Sequence, residues 1–135
     1  ARKTSIRAED LAEEPFVSVD PSILLRHRVD AVFGQRRVKR RLQVQVSTTA
    51  LVCNMVAASV GVSIVHPFVA LAFKSLVAVR QFEPAIALDY AILSRPGTPS
   101  RVTTAFQGAA VAEMARLTRS LDRDFRRSRT SQGRG

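Results

Sequence analysis

RLQVQVSTTALVCNMVAASVGVSIVHP, residues 41–67, carries the order of elements that decides the fold. Leu42, Val44 and Val46 alternate with polar neighbours, the period-two mark of a strand with two different faces. Ser47, Thr48 and Thr49 then offer hydroxyl caps for a helix over 48–58. ALVCNMVAAS is apolar nearly all round, which predicts a buried helix rather than an amphipathic one. A corner of small residues at 57–61 ends it. GVSIV is a β-branched run that reads as a second strand, and Pro67 starts the first turn of a short helix, HPFVALAF. Strand, helix, strand and helix thus follow one another within about thirty residues.

Working outward, the same alternation continues. IRAEDLAEE (6–14) reads as a short polar helix or turn. PFVSV (15–19) is a strand that DPS ends, with Asp20 or Ser22 placed to cap the next helix. In that helix Leu25, Val29, Val32 and Phe33 form one apolar stripe, and Gly34 lies near its end. Downstream, SLVAVRQF (75–82) and AIALDYAIL (85–93) read as further strands, followed by the turn SRPGTPS. A final helix over 100–121 carries Val102, Phe106, Ala110, Met114, Leu117 and Leu121 on one side. Beyond Arg126 no apolar period remains, and a disordered tail is expected. The pattern predicts an α/β fold, an open and mostly parallel sheet with flanking helices.

A length of 135 residues suits one domain, and 46% hydrophobic residues suit a globular one. No apolar run reaches the ~18 residues of a membrane span; residues 50–73 come closest, interrupted by Asn54, Gly61, His66 and Pro67. The N-terminal stretch has no apolar core of a secretory signal, and the single cysteine, Cys53, fits a reducing compartment. A soluble cytoplasmic protein is expected. The net charge of +10 is uneven. It sits in RRVKRR (36–41) and in the arginine-rich residues 116–135, with a balanced body between them. Neither run interleaves aromatic residues for base stacking, so solvated charge is favoured over phosphate tracking.

Catalytic constellations are thin, and no enzyme is expected. Cys53 lies within an apolar helix, where a buried thiol is inert. His27 and His66 are far apart in sequence and have no partnering cysteine, so neither a metal nor another cofactor is expected. No glycine-rich phosphate loop is present. In parallel α/β sheets ligands bind beyond the carboxyl ends of strands, which singles out the loops SVDPS (18–22) and VSTT (46–49). Ser47, Thr48 and Thr49 can cradle a carboxylate at a helix start, or simply cap the helix. Asp20 can hold an ammonium group, or cap. His66 reads first as a loop histidine and second as a ligand-facing one.

Four stretches in order resemble the effector-binding domain of LysR-type transcriptional regulators, over roughly residues 6–120. IRAEDLAEEPFVSVDPS is similar to the entry into that family's second subdomain, and RVDAVF to the helix after it. VSTTALVCNMVAASVGVSIVHP resembles the signature in which a helix ends in a small-residue corner and leads to an apolar strand and a proline. VRQFEPAIALDYAILSRPGTPSRVTTAFQGAAVAEMARL is similar to the closing strand and helix. The forms VSVDPS, GVSIVHP and VRQFEP resemble members that respond to amino-acid derivatives such as opines.

The resemblance implies the second effector subdomain over 1–94, a closing turn and helix over 95–121, and a basic tail over 122–135. It implies a non-enzymatic sensory fragment with half of a small-molecule cleft, lined by Asp20, Ser22, Ser47, Thr48, Thr49 and His66. Nothing in the chain resembles the winged helix-turn-helix or the first subdomain, so the chain is expected to be a piece, a truncated product or the tail of a disrupted regulator. DNA would be reached only through the missing domain. The apolar face of the last helix is expected to be exposed and to favour self-association. Ser59 stands where the family has a helix-ending glycine, a left-handed position that costs a serine roughly 1 kcal/mol. The alternative is a basic nucleic-acid-binding protein using 36–41 and the arginine tail, with steeply salt-dependent duplex binding.

Overall fold

The computed structural model describes residue 3 and residues 5–130, with side chains described through residue 123. The chain divides into two compact units, Ala1–Ala87 and Leu88–Gly135.

In the first unit β1 (Ser5–Arg7) leads through a 3-10 turn, Ala8–Leu11, to β2 (Pro15–Val19). Then come α1 (Leu24–Gln35), β3 (Arg41–Val46), α2 (Thr49–Ala57), α3 (Pro67–Ala72) and β4 (Gln81–Glu83). All strand pairing is parallel. β2 pairs with β3 from Pro15↔Arg41 to Val19↔Val46, with a register shift between Phe16 and Val17. β1 pairs with β4 as a second two-stranded sheet. The α/β class and the parallel strands are as the sequence leads one to expect.

β2 is the centre of this unit because helices cover both of its faces. Val17 and Val19 pack with Val52 of α2, joined by Ile23, Val44, Val46, Met55, Val56, Val60 and Val65. On the other face Phe16 meets Phe33 of α1 edge-to-face at 6.0 Å, and Phe33 stacks on Phe82 of β4 at 6.3 Å. Leu25, Val29 and Phe33 are the buried stripe of α1, spaced at i, i+4 and i+8. Four successive buried residues in β2, Ser18 among them, are what a central parallel strand requires.

Several elements depart from the sequence expectation. α2 is not buried all round: Val52 and Cys53 face the core, while Leu51 is 36% exposed. Residues 61–65 are not a full strand. Val62 bridges Phe16, with Val62 N–H donating to Pro15 O at 2.8 Å and Val17 N–H to Val62 O at 2.9 Å. The Ser63 hydroxyl then donates to Val17 O at 2.7 Å, so a side chain serves the carbonyl that a continuing ladder would use. Of the strand expected over 75–82 only Gln81 and Phe82 are paired, within β4. β1 was not expected at all, because three residues carry no legible period.

Residues 85–93, which run from the first unit into the second, form no strand. Their β propensity has no neighbouring ladder to act on among the described residues. α4 spans Arg101–Thr130, longer than the 100–121 expected, and 122–130 is helical rather than disordered. No glycine or proline interrupts 109–130, and arginine is a good helix former, so charge does not stop the helix. The expected disorder of 131–135 falls outside the described residues. Ser100 caps the start, its hydroxyl accepting from Thr103 N–H at 3.1 Å. Among the described residues no helix is long and apolar enough to cross a membrane.

Candidate functional site

The parallel register brings the predicted residues to one edge. Val19 pairs with Val46, and Asp20 N–H donates to Val46 O at 2.9 Å, so Asp20 and Ser47 begin their loops side by side. On the other flank Val62 pairs with Phe16, which makes His66 and Asp20 each the fourth residue beyond that pair. The carboxyl ends of β3, β2 and segment 60–65 therefore carry all six residues singled out in the sequence. Parallel α/β sheets bind ligands at such an edge.

Each loop is built by short-range hydrogen bonds. The Asp20 carboxylate accepts from Ser22 N–H at 2.9 Å, closing a turn within the loop. The Ser22 backbone N–H, then its hydroxyl, hold the Asp20 carboxyl below its ordinary value, and the Arg26 cation adds to this. Ser22 is exposed and carries the next turn, in which Ile23 N–H donates to Asp20 O at 3.1 Å. Thr48 is the N-cap of α2, its hydroxyl accepting from Leu51 N–H at 3.2 Å. Ser47 is exposed, and Thr49 is the first helical residue. His66 caps α3, Nδ1 accepting from Phe68 N–H at 3.3 Å, with its ring 4.8 Å from that of Phe68. Burial lowers the His66 pKa, keeping the imidazole neutral and able to accept. Capping and ligand binding thus share the same side chains here. The edge combines one carboxylate, four hydroxyls, one imidazole and the N-terminus of a nine-residue helix.

Behind this edge lies a polar network that sequence reasoning passed over. Arg26 Nε donates to both oxygens of Asp30 at 2.9 Å, and its Nη1 donates to Val19 O at 3.1 Å and Gln45 Oε1 at 3.0 Å. Arg40 shares Asp30 and lies over the Phe16 and Phe33 rings at 5.1 and 5.0 Å. Its side chain is only 12% exposed, and one guanidinium nitrogen has no hydrogen-bond partner among the described residues. Burial first, and Arg26 second, lower the Arg40 pKa. The legible signal was the spacing of Arg26 and Asp30, opposite charges four apart on a helix. Nothing in sequence tied Arg40 to them.

The basic run 36–41 is partly engaged within the chain: Arg40 as above, and Arg36 with Glu9 at 3.9 Å. That fits a structural role for the run better than phosphate tracking. Cys53 is buried and its thiol pKa is raised by that burial, as suits an inert core residue. Among the described residues no group of three potential metal ligands is assembled. An open hollow lined by Lys3, Ser5, Arg7, Glu9 and Asp10 contains none of the six edge residues.

Residues 1–115 match the family model of the LysR substrate binding domain. The chain is 33% identical over 124 residues to the transcriptional activator protein LysR of Escherichia coli (strain K12), covering 90% of this chain and 40% of that protein. It is 28% identical over 117 residues to the regulatory protein NocR of Agrobacterium tumefaciens (strain T37), covering 85% of this chain and 39% of that one. NocR of Agrobacterium fabrum (strain C58) matches to the same extent. The chain therefore spans about 40% of the length of these curated relatives.

Proposed function

The chain belongs to the LysR substrate-binding domain family, and from that premise we propose that it contributes one side of an effector cleft to a transcriptional regulator. The effector would be a small molecule with both an ammonium and a carboxylate, an amino acid or an opine-like derivative. Asp20 would meet the ammonium. Ser47, Thr48 and Thr49, at the start of α2, would meet the carboxylate, with Ser22 and His66 flanking. The observation that carries the proposal is the Val19↔Val46 register, because it sets an anionic loop beside a helix N-terminus.

The chain would act by binding rather than by chemistry. In an intact regulator the effector would favour one arrangement of two subdomains, and that bias would reach DNA through a domain outside this chain. Cytoplasmic residence follows from the same role. Self-association is part of the proposal too, supported by the exposure of Val102 and Phe106 on α4, 79% and 66%.

The test is a titration of the chain with L-arginine and with an N-carboxyalkyl derivative of it, followed by amide chemical shifts. Shifts are expected at Asp20, Ser47 and Thr48. Asp20→Asn retains an oxygen that can accept from Ser22 N–H but removes the charge, and is expected to weaken binding about tenfold, ~1.4 kcal/mol. Equal affinity in the variant would remove Asp20 from the site. Absence of any shift with both probes would overturn the amino-acid class.

A further inference from the structure

We propose that Arg26 is a positioning residue for the candidate effector edge, a guanidinium clamp that ties the carboxyl ends of β2 and β3 to the first turn of α1. The inference rests on the effector reading for its purpose but not for its geometry. One nitrogen, Nη1, bonds both strands: the backbone carbonyl of Val19, the residue before Asp20, and the side chain of Gln45, two residues before Ser47. Between these contacts runs the Asp20 N–H to Val46 O bond that sets the two loops side by side. The clamp therefore spans the join that defines the edge.

The guanidinium is itself held in place. Asp30, one helical turn along, takes Nε on both its oxygens, and Asp30 is in turn paired with Arg40, which is wedged over Phe16 and Phe33. The Arg26 side chain is 13% exposed, which limits water's access to its bond with the Val19 carbonyl, while the Gln45 end of the clamp is open to solvent. The geometry calls for arginine. A planar fork can serve a carboxylate, a carbonyl and an amide oxygen at once, whereas an ammonium point charge cannot hold that arrangement. Arg26 also lies near enough to act on the Asp20 carboxylate electrostatically.

The inference is tested by amide hydrogen exchange on the whole chain without ligand, in Arg26→Met, Arg26→Lys and Gln45→Ala. Exchange at Asp20 and Ser22 is expected to accelerate about tenfold or more in Arg26→Met, while the amides of Val17 and Val62, which bond across the Phe16–Val62 bridge, stay protected. Arg26→Lys is expected to accelerate the same amides while leaving the Asp20 carboxyl titration near its original midpoint. In Arg26→Met that midpoint is expected to rise. Gln45 is exposed, so Gln45→Ala reports the β3 half of the clamp even if Arg26→Met fails to fold. Unchanged exchange at Asp20, or equal acceleration at Val62, would overturn the clamp. Failure of L-arginine to shift the edge amides of the unsubstituted chain would count against the effector reading, and the exchange result would still decide the clamp.

Discussion

Ser59 adopts φ 61, the left-handed conformation that an L side chain resists. The Val60 N–H to Met55 O bond at 3.0 Å and the Ser59 N–H to Val56 O bond at 2.9 Å close the end of α2 around it. Arg37 does the same after α1, at φ 56, with Val38 N–H on Phe33 O. Gly61 is needed for a different reason. A Cβ on it would stand 2.1 Å from the Pro15 carbonyl oxygen, where the chain bridges β2. Ser59→Gly is therefore expected to raise stability by about 0.5–1 kcal/mol, the strain relieved exceeding the added unfolded-state entropy. Gly61→Ala is expected to cost about 3 kcal/mol or more, because backbone rather than a flexible side chain must move. Urea midpoints measure both; a lower midpoint for Ser59→Gly, or an unchanged one for Gly61→Ala, contradicts these assignments.

At the scale of elements, α3 is short and relies on its cap. His66 accepts through Nδ1, which requires the unprotonated ring, and burial holds its pKa below the ordinary 6.5. Since the folded value is the lower one, the stabilisation is fully present above about pH 6.5 and is lost as pH falls through the folded value. Between about pH 7.5 and 5.5, above the carboxylate range, the chain should lose stability. His66→Asn keeps a capping oxygen and should flatten that slope; equal slopes would show that His66 does not set it. Periodic elements were legible: α1, β3 and the start of α2 lie where Leu25, Val29 and Phe33, then Leu42, Val44 and Val46, then Thr48 place them. Residues 61–65 and 85–93 have strand propensity too. Their outcome turned on a partner edge, which one segment of sequence does not contain.

For the whole molecule, α4 leaves Val102, Phe106 and Val111 more than half exposed. If that face drives self-association, sedimentation should show a concentration-dependent increase in mass that Phe106→Glu abolishes, while the circular dichroism of the variant stays helical. A monomer at all concentrations would remove self-association from the proposal. The candidate edge was legible residue by residue, because hydroxyls and Asp20 after β-periodic runs mark strand-to-helix loops. That the loops share one edge followed only from the α/β alternation. The clamp behind them was not legible, since Arg26, Gln45 and Arg40 meet through three elements.

By itself, then, the sequence of this protein determined the local matters: the period of each strand and helix, the hydroxyl caps, the small-residue corner and the family words they spell. These depend on neighbours within a few positions, where side-chain spacing and backbone preference act directly. Tertiary structure alone decided which β-prone runs became strands, why Gly61 cannot carry a side chain, and how Arg26 joins β2 to β3. Those outcomes depend on groups distant in sequence and close in space, such as Ser63 on Val17 and Pro15 against Gly61. Only the packed chain brings such groups within bonding distance.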